Sequence, residues 1–376
     1  MKSIKLGNLQ RLLTFVLIAI MLIGTVGFAV NGWQQGEMPP NEETPDNNDG
    51  IPGDDNTVDT NPPTDNTTPP TDELPPEEIE LPKFYNTYTG LETTEEYSKN
   101  TPIGFVINPS MPIYGISNSD ITIEFPIEDG STRLLTYTTN DSLLWKVGSL
   151  SPTRAFITGM SNFFGGIVIS YGNDDIVKYS AWDTDKFNLD LSRHSDCYYI
   201  ENTLYVYTSK DKVAEAESRN NIYGTSNSKI PFKFSADFEN IYGSTEASTV
   251  TIPYSQSQKT EFQYSETSKE YLYFKDGQRK IDMLNGKNIS FSNLFILFCN
   301  ATTYEKSEGT ELVLDTTSGG RGYYISLGTK TEITWSVSSE GALEFRTLSG
   351  EELTVNRGTS YIGYYKASQS FNIIFN

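Results

Sequence analysis

Two glutamates and two arginines are the residues of this sequence best suited to bind a polar ligand. Glu124 and Glu128 lie in a segment that alternates apolar and polar residues, and Arg133 follows them after an Asp-Gly turn signal. This alternation places both glutamates on one face of a strand, and a two-residue turn would place Arg133 opposite Pro126 on that face. With Arg154 as a second guanidinium group, the pattern predicts a ligand-binding site. The same pattern is typical of a surface ion network of little energetic weight.

The two glutamates are also the candidates for acid–base catalysis of glycan cleavage. Residues four apart on a strand are separated by roughly 13 Å at ~3.3 Å per residue, whereas the paired acids of glycosidases lie about 5–9.5 Å apart. We therefore favour a protein without catalytic residues and without enzymatic activity. The alternative is a cell-wall-modifying, glycan-cleaving enzyme that uses Glu124 or Glu128, with Arg133 and Arg154 anchoring the substrate.

Metal and cofactor sites are not supported by the residue types and their spacing. His194 is the one histidine of the chain, which removes most histidine-based schemes. The acidic run from 183 to 190 departs from a calcium loop, because Phe187 takes its fifth position and the required glycine is missing. The sequence predicts no metal and no cofactor.

The two cysteines are separated by about a hundred residues of sequence. Cys299 ends an apolar run that begins at Leu294, where a small buried residue suits a strand. We interpret Cys197 and Cys299 as buried free thiols, and a disulfide between them stays open because exported proteins often form one.

The first part of the chain indicates its location. Lys2, Lys5 and Arg11 precede an apolar run over residues 12–30, and ~20 apolar residues suffice for a membrane-spanning helix. Basic residues before such a run predict a cytoplasmic N-terminus and an extracellular remainder. We expect residues 1–32 to hold this protein at the cell membrane. Cleavage after Ala29, as in a signal peptide, stays open.

Residues 33–83 have the composition of a stalk. Asp, Glu, Asn, Thr and Pro dominate, and residues 33–82 contain no Lys or Arg. Such a segment cannot bury enough apolar surface to fold, so it is expected to be disordered and extended. Its acids supply much of the net charge of −21, and no basic stripe follows them. Nucleic acid is therefore excluded as a partner.

The remaining residues predict an α+β fold in two domains. Residues 84–242 are expected to form a mixed α/β domain, because short strands are interleaved with helices over 152–164, 208–220 and, more weakly, 174–182. Residues 243–376 are expected to form a β-rich domain, with Asp276-Gly277 as a hairpin turn.

Several motifs, taken in their order along the chain, resemble those of YerB-like exported lipoproteins of Gram-positive bacteria. They include the run from Glu124 to Arg133, the segment Ser318–Tyr324 and the run Asn356–Thr359, and the resemblance extends over residues 88 to about 366. The resemblance implies a two-domain surface protein without an assigned reaction. Relatives carry a lipid-bearing cysteine that is missing before this stalk, so a spanning helix would replace the lipid.

This chain also departs from the pattern at three polar positions. Ser151 stands where relatives have a second arginine, and the segment 170–173 replaces a His-Gly-Gly-like turn. Thr203-Leu204-Tyr205 replaces a Pro-His-Asn sequence. If those residues perform chemistry in relatives, the resemblance implies that this chain has lost it.

These features predict a non-catalytic envelope protein, anchored at the membrane with its folded part extracellular. The expected partner is a cell-wall polymer or another envelope protein. The chain has 23 tyrosines, and pairs such as Tyr198-Tyr199 place one ring on each face of a strand. Exposed rings of this kind could stack on glycans or peptides, although packing in the core is the more usual role.

Overall fold

The computed structural model describes residues 83–172, 187–220, 232–243, 245–306 and 309–376. The expected membrane segment over residues 12–30, the stalk up to residue 82 and the weak helix over 174–182 lie outside these ranges. In the part of the chain that is described, no helix is both long enough and apolar enough to cross a membrane.

Helices are few and short among the described residues. They are α1 (Glu95–Lys99), α2 (Ala155–Thr158), α3 (Ser161–Phe164) and α4 (Lys210–Asn220), with 3-10 turns at Asp141–Leu143, Leu191–Arg193 and Ala367–Asn372. The helix expected over 208–220 is confirmed as α4. The helix expected over 152–164 is instead two single turns, because the backbone stays extended through Arg154 and Gly165 ends the second turn at a φ of 73°.

Strands make up most of the regular structure. Those before residue 243 are β1 (Phe84–Tyr85), β2 (Glu92–Thr93), β3 (Ile103–Ile107), β4 (Ile121–Pro126), β5 (Thr132–Thr138), β6 (Val147–Gly148), β7 (Ile167–Ser170), β8 (Asn188–Asp190), β9 (Tyr199–Glu201), β10 (Tyr205–Thr208) and β11 (Lys233–Phe234). Those after it are β12 (Thr245–Glu246), β13 (Thr249–Pro253), β14 (Lys259–Ser265), β15 (Glu270–Lys275), β16 (Gln278–Arg279), β17 (Ser290–Phe291), β18 (Asn293–Cys299), β19 (Ala301–Lys306), β20 (Gly309–Leu314), β21 (Gly320–Ser326), β22 (Thr329–Val337), β23 (Leu343–Thr347), β24 (Thr354–Val355), β25 (Ser360–Lys366) and β26 (Ile374–Phe375).

The fold is therefore mostly β. The α+β prediction is confirmed in its strand-rich part. The mixed α/β character expected of residues 84–242 is not evident, since α1, α2 and α3 are single helical turns.

The largest sheet has eleven strands and includes strands from both sides of residue 243. Its order is β12-β22-β21-β18-β25-β4-β5-β3-β7-β8, with β23 paired to β22. At its centre, β25 runs parallel to both β18 and β4. This central strand joins the residues of the two expected domains in one continuous sheet.

A second sheet has six strands in the order β16-β15-β14-β13-β26, with β17 on β15. A three-stranded sheet has the order β6-β10-β9, and β1-β2, β11-β24 and β19-β20 form the remaining pairs in the described ranges. The turn between β15 and β16 is the expected Asp276-Gly277 hairpin, in which both residues have positive φ.

The central sheet is buried on both faces. On one face, Tyr361 packs edge-on against Phe262 of the six-stranded sheet, with ring centroids 4.7 Å apart. On the other face, Phe125 stacks on Tyr364 at 5.3 Å and also contacts Phe156 of α2. A polar side chain on either face must therefore find its partners within the protein.

Both cysteines are confirmed as buried free thiols. Cys197 and Cys299 form no disulfide. Burial raises the pKa of the Cys299 thiol to about 12, so this group stays protonated and unreactive at neutral pH.

Candidate functional site

The hairpin that carries the predicted site residues has a longer turn than expected. Phe125 pairs with Arg133, and the N–H of Ile127 donates to the carbonyl of Ser131 at 2.9 Å. The loop therefore has three residues and ends in Gly130 with a φ of 79°. The prediction that Arg133 lies opposite Pro126 was wrong by one residue. A shift of one residue moves a side chain to the other face, so Arg133 points away from Glu124.

Glu124 lies between the two large sheets with an exposed fraction of 0%. Lys275 of the six-stranded sheet, itself 2% exposed, places its Nζ 2.9 Å from Oε1. Three hydroxyl groups also donate to the carboxylate, from Thr132 at 2.5 Å, Tyr361 at 2.8 Å and Thr260 at 2.8 Å. These contacts satisfy the buried charge within the protein and leave no route for a ligand.

Tyrosines enclose this buried ion pair. The hydroxyls of Tyr254 and Tyr361 lie 3.3 Å apart, and Tyr273 is also fully buried beside them. Burial, followed by the charge of Glu124, raises the pKa of all three tyrosines well above the ordinary range. The hydroxyls therefore stay protonated. Tyr254 and Tyr361 belong to the hydrogen-bonded group around Glu124, whereas the Tyr273 hydroxyl has no partner among the described residues.

Glu128 lies at the end of the same hairpin and has a different partner. The Arg154 guanidinium donates to both Glu128 oxygens and lies 3.9 Å from Oε1 of Glu311, which also pairs with Lys306. Partial burial acts to raise the pKa of Glu128, but hydrogen bonding and attraction from Arg154 outweigh it. The pKa of Glu128 is therefore below its ordinary value.

Arg133 is half-buried near this ion pair. Its Nη1 donates to the carbonyl of Thr132 at 3.0 Å. Burial and then the neighbouring charge of Arg154 lower its pKa. The structure thus brings Glu128, Arg133 and Arg154 together and leaves Glu124 out of the group. Glu311, which sequence reasoning missed, joins them from a strand far away in the chain.

The departures from the resembled pattern lie close together. The N–H of Tyr171 donates to the carbonyl of Ser151 at 3.1 Å, at the end of β7. The N–H of Leu150 donates to Val206 at 2.7 Å, which brings the segment after Thr203-Leu204 alongside. The ends of parallel strands such as β3 and β7 are common ligand sites. The altered positions therefore belong to one region of the fold.

An open cleft of about 410 Å³ lies at one end of the three-stranded sheet. Its rim carries two exposed rings, Trp145 with 65% and Tyr199 with 51% of their surface accessible. Asp141, Ser142, Ser209 and the first residues of α4 complete the lining. We call this feature the Trp145 cleft. Its volume is within the usual ~300–1,000 Å³ of ligand-binding pockets.

Backbone pairing fixes both sides of the Trp145 cleft. Tyr207 of β10 pairs with Gly148 of β6 on one side and with Tyr199 of β9 on the other. The N–H of Lys210, at the start of α4, donates to the carbonyl of Leu144 at 2.7 Å. The loop before Trp145, the start of β9 and the start of α4 therefore meet at one place.

Sequence reasoning found only part of this cleft. The Tyr198-Tyr199 pair predicted an exposed ring, and Tyr199 is exposed. Trp145 was missed because it follows two leucines and reads as part of an apolar run. The structure buries Leu144 and leaves Trp145 outside.

A second cluster of ionisable groups lies around Asp196, Cys197 and Glu215, whose potential ligand atoms are within 4.8 Å of one another. Arg219 pairs with both carboxylates, at 2.6 Å from Asp196. This hydrogen bond lowers the pKa of Asp196. The guanidinium already supplies the positive charge that a metal ion would bring.

Comparison with known proteins gives two matching family models and a structural relative. Residues 88–229 match the N-terminal domain, and residues 250–362 the C-terminal domain, of a protein of unknown function (DUF3048). The crystal structure of the YerB protein from Bacillus subtilis superposes with a TM-score of 0.66 at 21% identity, covering 78% of this chain and 100% of that one. This likeness supports the fold. A search of curated proteins found no match.

Proposed function

Since this chain belongs to the YerB-like DUF3048 family, we propose that it is a non-catalytic envelope protein that binds a cell-wall polymer. In this proposal, residues 12–30 hold it at the membrane and the stalk over 33–83 carries the folded part away from the bilayer. The family itself has no assigned reaction, so the proposal depends on the sites of this chain.

The Trp145 cleft is the observation that carries the proposal. Soluble domains usually bury large aromatic side chains, and a Trp and a Tyr exposed at the rim of one cleft are typical of binding sites. The cleft is open at the surface, which suits a long polymer better than a small metabolite that needs enclosure.

The environments of the two glutamates support a protein without catalysis. Glu124 is enclosed by Lys275 and three hydroxyl groups. A general acid needs a raised pKa so that it holds its proton at neutral pH, whereas the pKa of Glu128 is lowered. The glycan-cleaving alternative would therefore depend on Glu128 as a base rather than as an acid.

Co-sedimentation of the detergent-solubilised full chain with isolated Gram-positive walls tests the proposal. We expect the protein in the pellet and no soluble wall fragments in the supernatant. Trp145→Ala should reduce the pelleted fraction several-fold. Phe371→Ala is a matched control, since this ring is 82% exposed at a 3-10 turn outside the cleft lining, and it should pellet as the wild type does.

Two results would contradict the proposal. The protein could stay in the supernatant, or it could release fragments in a reaction that Glu128→Gln abolishes. The first excludes wall binding, and the second identifies a glycan-cleaving enzyme.

A further inference from the structure

We infer that the Trp145 cleft takes an uncharged sugar chain, such as an N-acetylated aminosugar polymer, in preference to an anionic polymer or a peptide. This inference rests on the proposed function, because it names the ligand class of the same cleft. Three properties of the lining support it.

The first property is the pair of rings. A pyranose ring has a face of C–H bonds and an edge of hydroxyl groups, so it packs its apolar face on an aromatic ring while its edge stays hydrated. Trp145, two residues before β6, and Tyr199, at the start of β9, offer two such rings from the two neighbours of β10. Aromatic side chains of this kind combine an apolar body with a polar end.

The second property is the polar surface between the rings. Ser142, Ser209 and Asp211 line the cleft. Hydroxyl and carboxylate oxygens accept hydrogen bonds from sugar hydroxyl groups, and serine hydroxyls also donate them. A purely apolar peptide side chain would leave these groups without partners, which costs free energy.

The third property is the balance of charge. Two acids, Asp141 and Asp211, line the cleft together with the cation Lys210, and a second cation, Lys212, lies beside it over the Tyr199 ring. Lys210 Nζ lies 2.6 Å from Asp141, and Lys212 Nζ lies 4.5 Å from the centre of the Tyr199 ring. An anionic polymer needs clustered cations that are not already paired. The balanced charge of this cleft favours a neutral ligand.

The cleft is also held in shape before a ligand arrives. Asn140 caps the 3-10 turn that carries Asp141 by accepting from the N–H of Ser142 at 3.1 Å. The backbone bond between Lys210 and Leu144 ties this turn to α4. A pre-formed site loses less conformational entropy on binding than a flexible one.

Calorimetric titration of the detergent-solubilised full chain with defined polymers tests the inference. The probes are a β-1,4-linked hexamer of N-acetylglucosamine, its fully deacetylated cationic form, and polyglycerol phosphate as the anionic polymer. We expect binding of the acetylated hexamer and at least about tenfold weaker binding of the two charged probes.

Variants connect that binding to the rings. Trp145→Ala and Tyr199→Ala should each weaken binding of the hexamer about tenfold or more, because aromatic anchors dominate binding energies. Tyr199→Phe keeps the ring and should remain within about threefold of the wild type. Phe371→Ala serves again as the unchanged control. Circular dichroism checks that each variant is folded.

The outcomes separate this inference from the proposed function. Retention on walls without binding of the hexamer, or tighter binding of polyglycerol phosphate, overturns the neutral-sugar inference and leaves wall binding intact. Hexamer binding that Trp145→Ala does not weaken overturns the location. Failure to pellet with walls overturns both.

Discussion

Glu124 and Glu128 are four residues apart on one hairpin, yet they differ in exposure and in partners. Glu124 is enclosed between two sheets and pairs with Lys275, a residue of the other sheet. Glu128 keeps 29% of its side chain exposed and pairs with Arg154 beside the hairpin loop. The same residue type thus serves as a buried link between sheets in one position and as a surface ion pair in the other.

The position of each glutamate on the hairpin determines its environment, and the environment determines its role. The pleat points Glu124 at the six-stranded sheet, where desolvation makes a compensating charge obligatory. The hairpin loop carries Glu128 beyond the sheet, where water screens the charge and the ion pair has little energetic weight.

Lys275→Met should have the largest effect. Removing the cation leaves the charge of Glu124 buried without compensation, which costs about 3–5 kcal/mol of unfolding free energy. Urea denaturation of the wild type and the variant measures the loss. Adding Glu124→Gln to the same chain should restore part of the stability, because the double variant has no buried charge. A loss below about 1 kcal/mol for the single variant would contradict this view of the pair.

Asp120 is a buried carboxylate that has no cationic partner among the described residues. Its oxygens accept from Asn86 at 2.8 Å and from the N–H of Thr139 at 2.7 Å, and burial, which outweighs these bonds, raises its pKa to about 6. The folded protein therefore binds this proton more tightly than the unfolded chain does. Its contribution is fully present below about pH 4 and is lost as the pH rises through about 6, a change of roughly 3 kcal/mol at 1.36 kcal/mol per unit of pKa.

The measurement for Asp120 is urea denaturation between pH 4 and pH 7. The unfolding free energy of the wild type should fall over this range relative to that of Asp120→Asn, which has no proton to lose there. Parallel pH profiles for the two proteins would exclude the raised pKa.

Tyr361→Phe should have an intermediate effect. The variant removes one donor to the buried carboxylate of Glu124, and hydrogen bonds to charged groups contribute about 1.5–3 kcal/mol. Tyr364→Phe is the matched control on the same strand, since the buried Tyr364 hydroxyl has no hydrogen-bond partner among the described residues. Denaturation curves should show a loss for the first variant and almost none for the second. Equal losses of unfolding free energy would mean that the hydrogen bond from Tyr361 to Glu124 adds nothing to stability beyond the burial of a tyrosine hydroxyl.

Glu128→Gln should have the smallest effect. A partly exposed ion pair contributes about 0–1 kcal/mol and weakens in salt. Because the pKa of Glu128 is lowered, its contribution is present above the ordinary pKa near 4.5 and is lost as the pH falls. Denaturation at low and high salt measures the difference between variant and wild type. A loss of unfolding free energy as large as that of Lys275→Met would mean that the ion pairs of Glu124 and Glu128 contribute equally to stability.

Local pattern predicted much of this hairpin but not its partners. Alternation correctly placed Ile123 and Phe125 on one face and Glu124 on the other, since the period of a strand is independent of the rest of the fold. The turn length was wrong, and one extra loop residue moved Arg133 to the opposite face. Lys275 is 151 residues from Glu124 in sequence, and no local signal connects two such distant residues.

The candidate site was harder to predict for the same reason. The sequence predicted one group of Glu124, Glu128, Arg133 and Arg154, whereas the structure brings together only the last three and encloses Glu124 elsewhere. The Trp145 cleft depends on which side of a short loop faces solvent. The backbone bond between Lys210 and Leu144 and the burial of Leu144 determine the orientation of this loop. Hydropathy alone does not predict which of its residues is exposed.

The position of β25 has a consequence for the order in which the protein can fold during synthesis. This strand, residues Ser360–Lys366, lies between β18 and β4 and hydrogen-bonds to both. The ribosome therefore completes β4 more than two hundred residues before its central neighbour exists. Until then β4 and β18 each present an open edge, which is a risk for pairing with other chains. This late strand fills the gap at the centre of the sheet, so the sheet cannot be completed until residues Ser360–Lys366 have been synthesised.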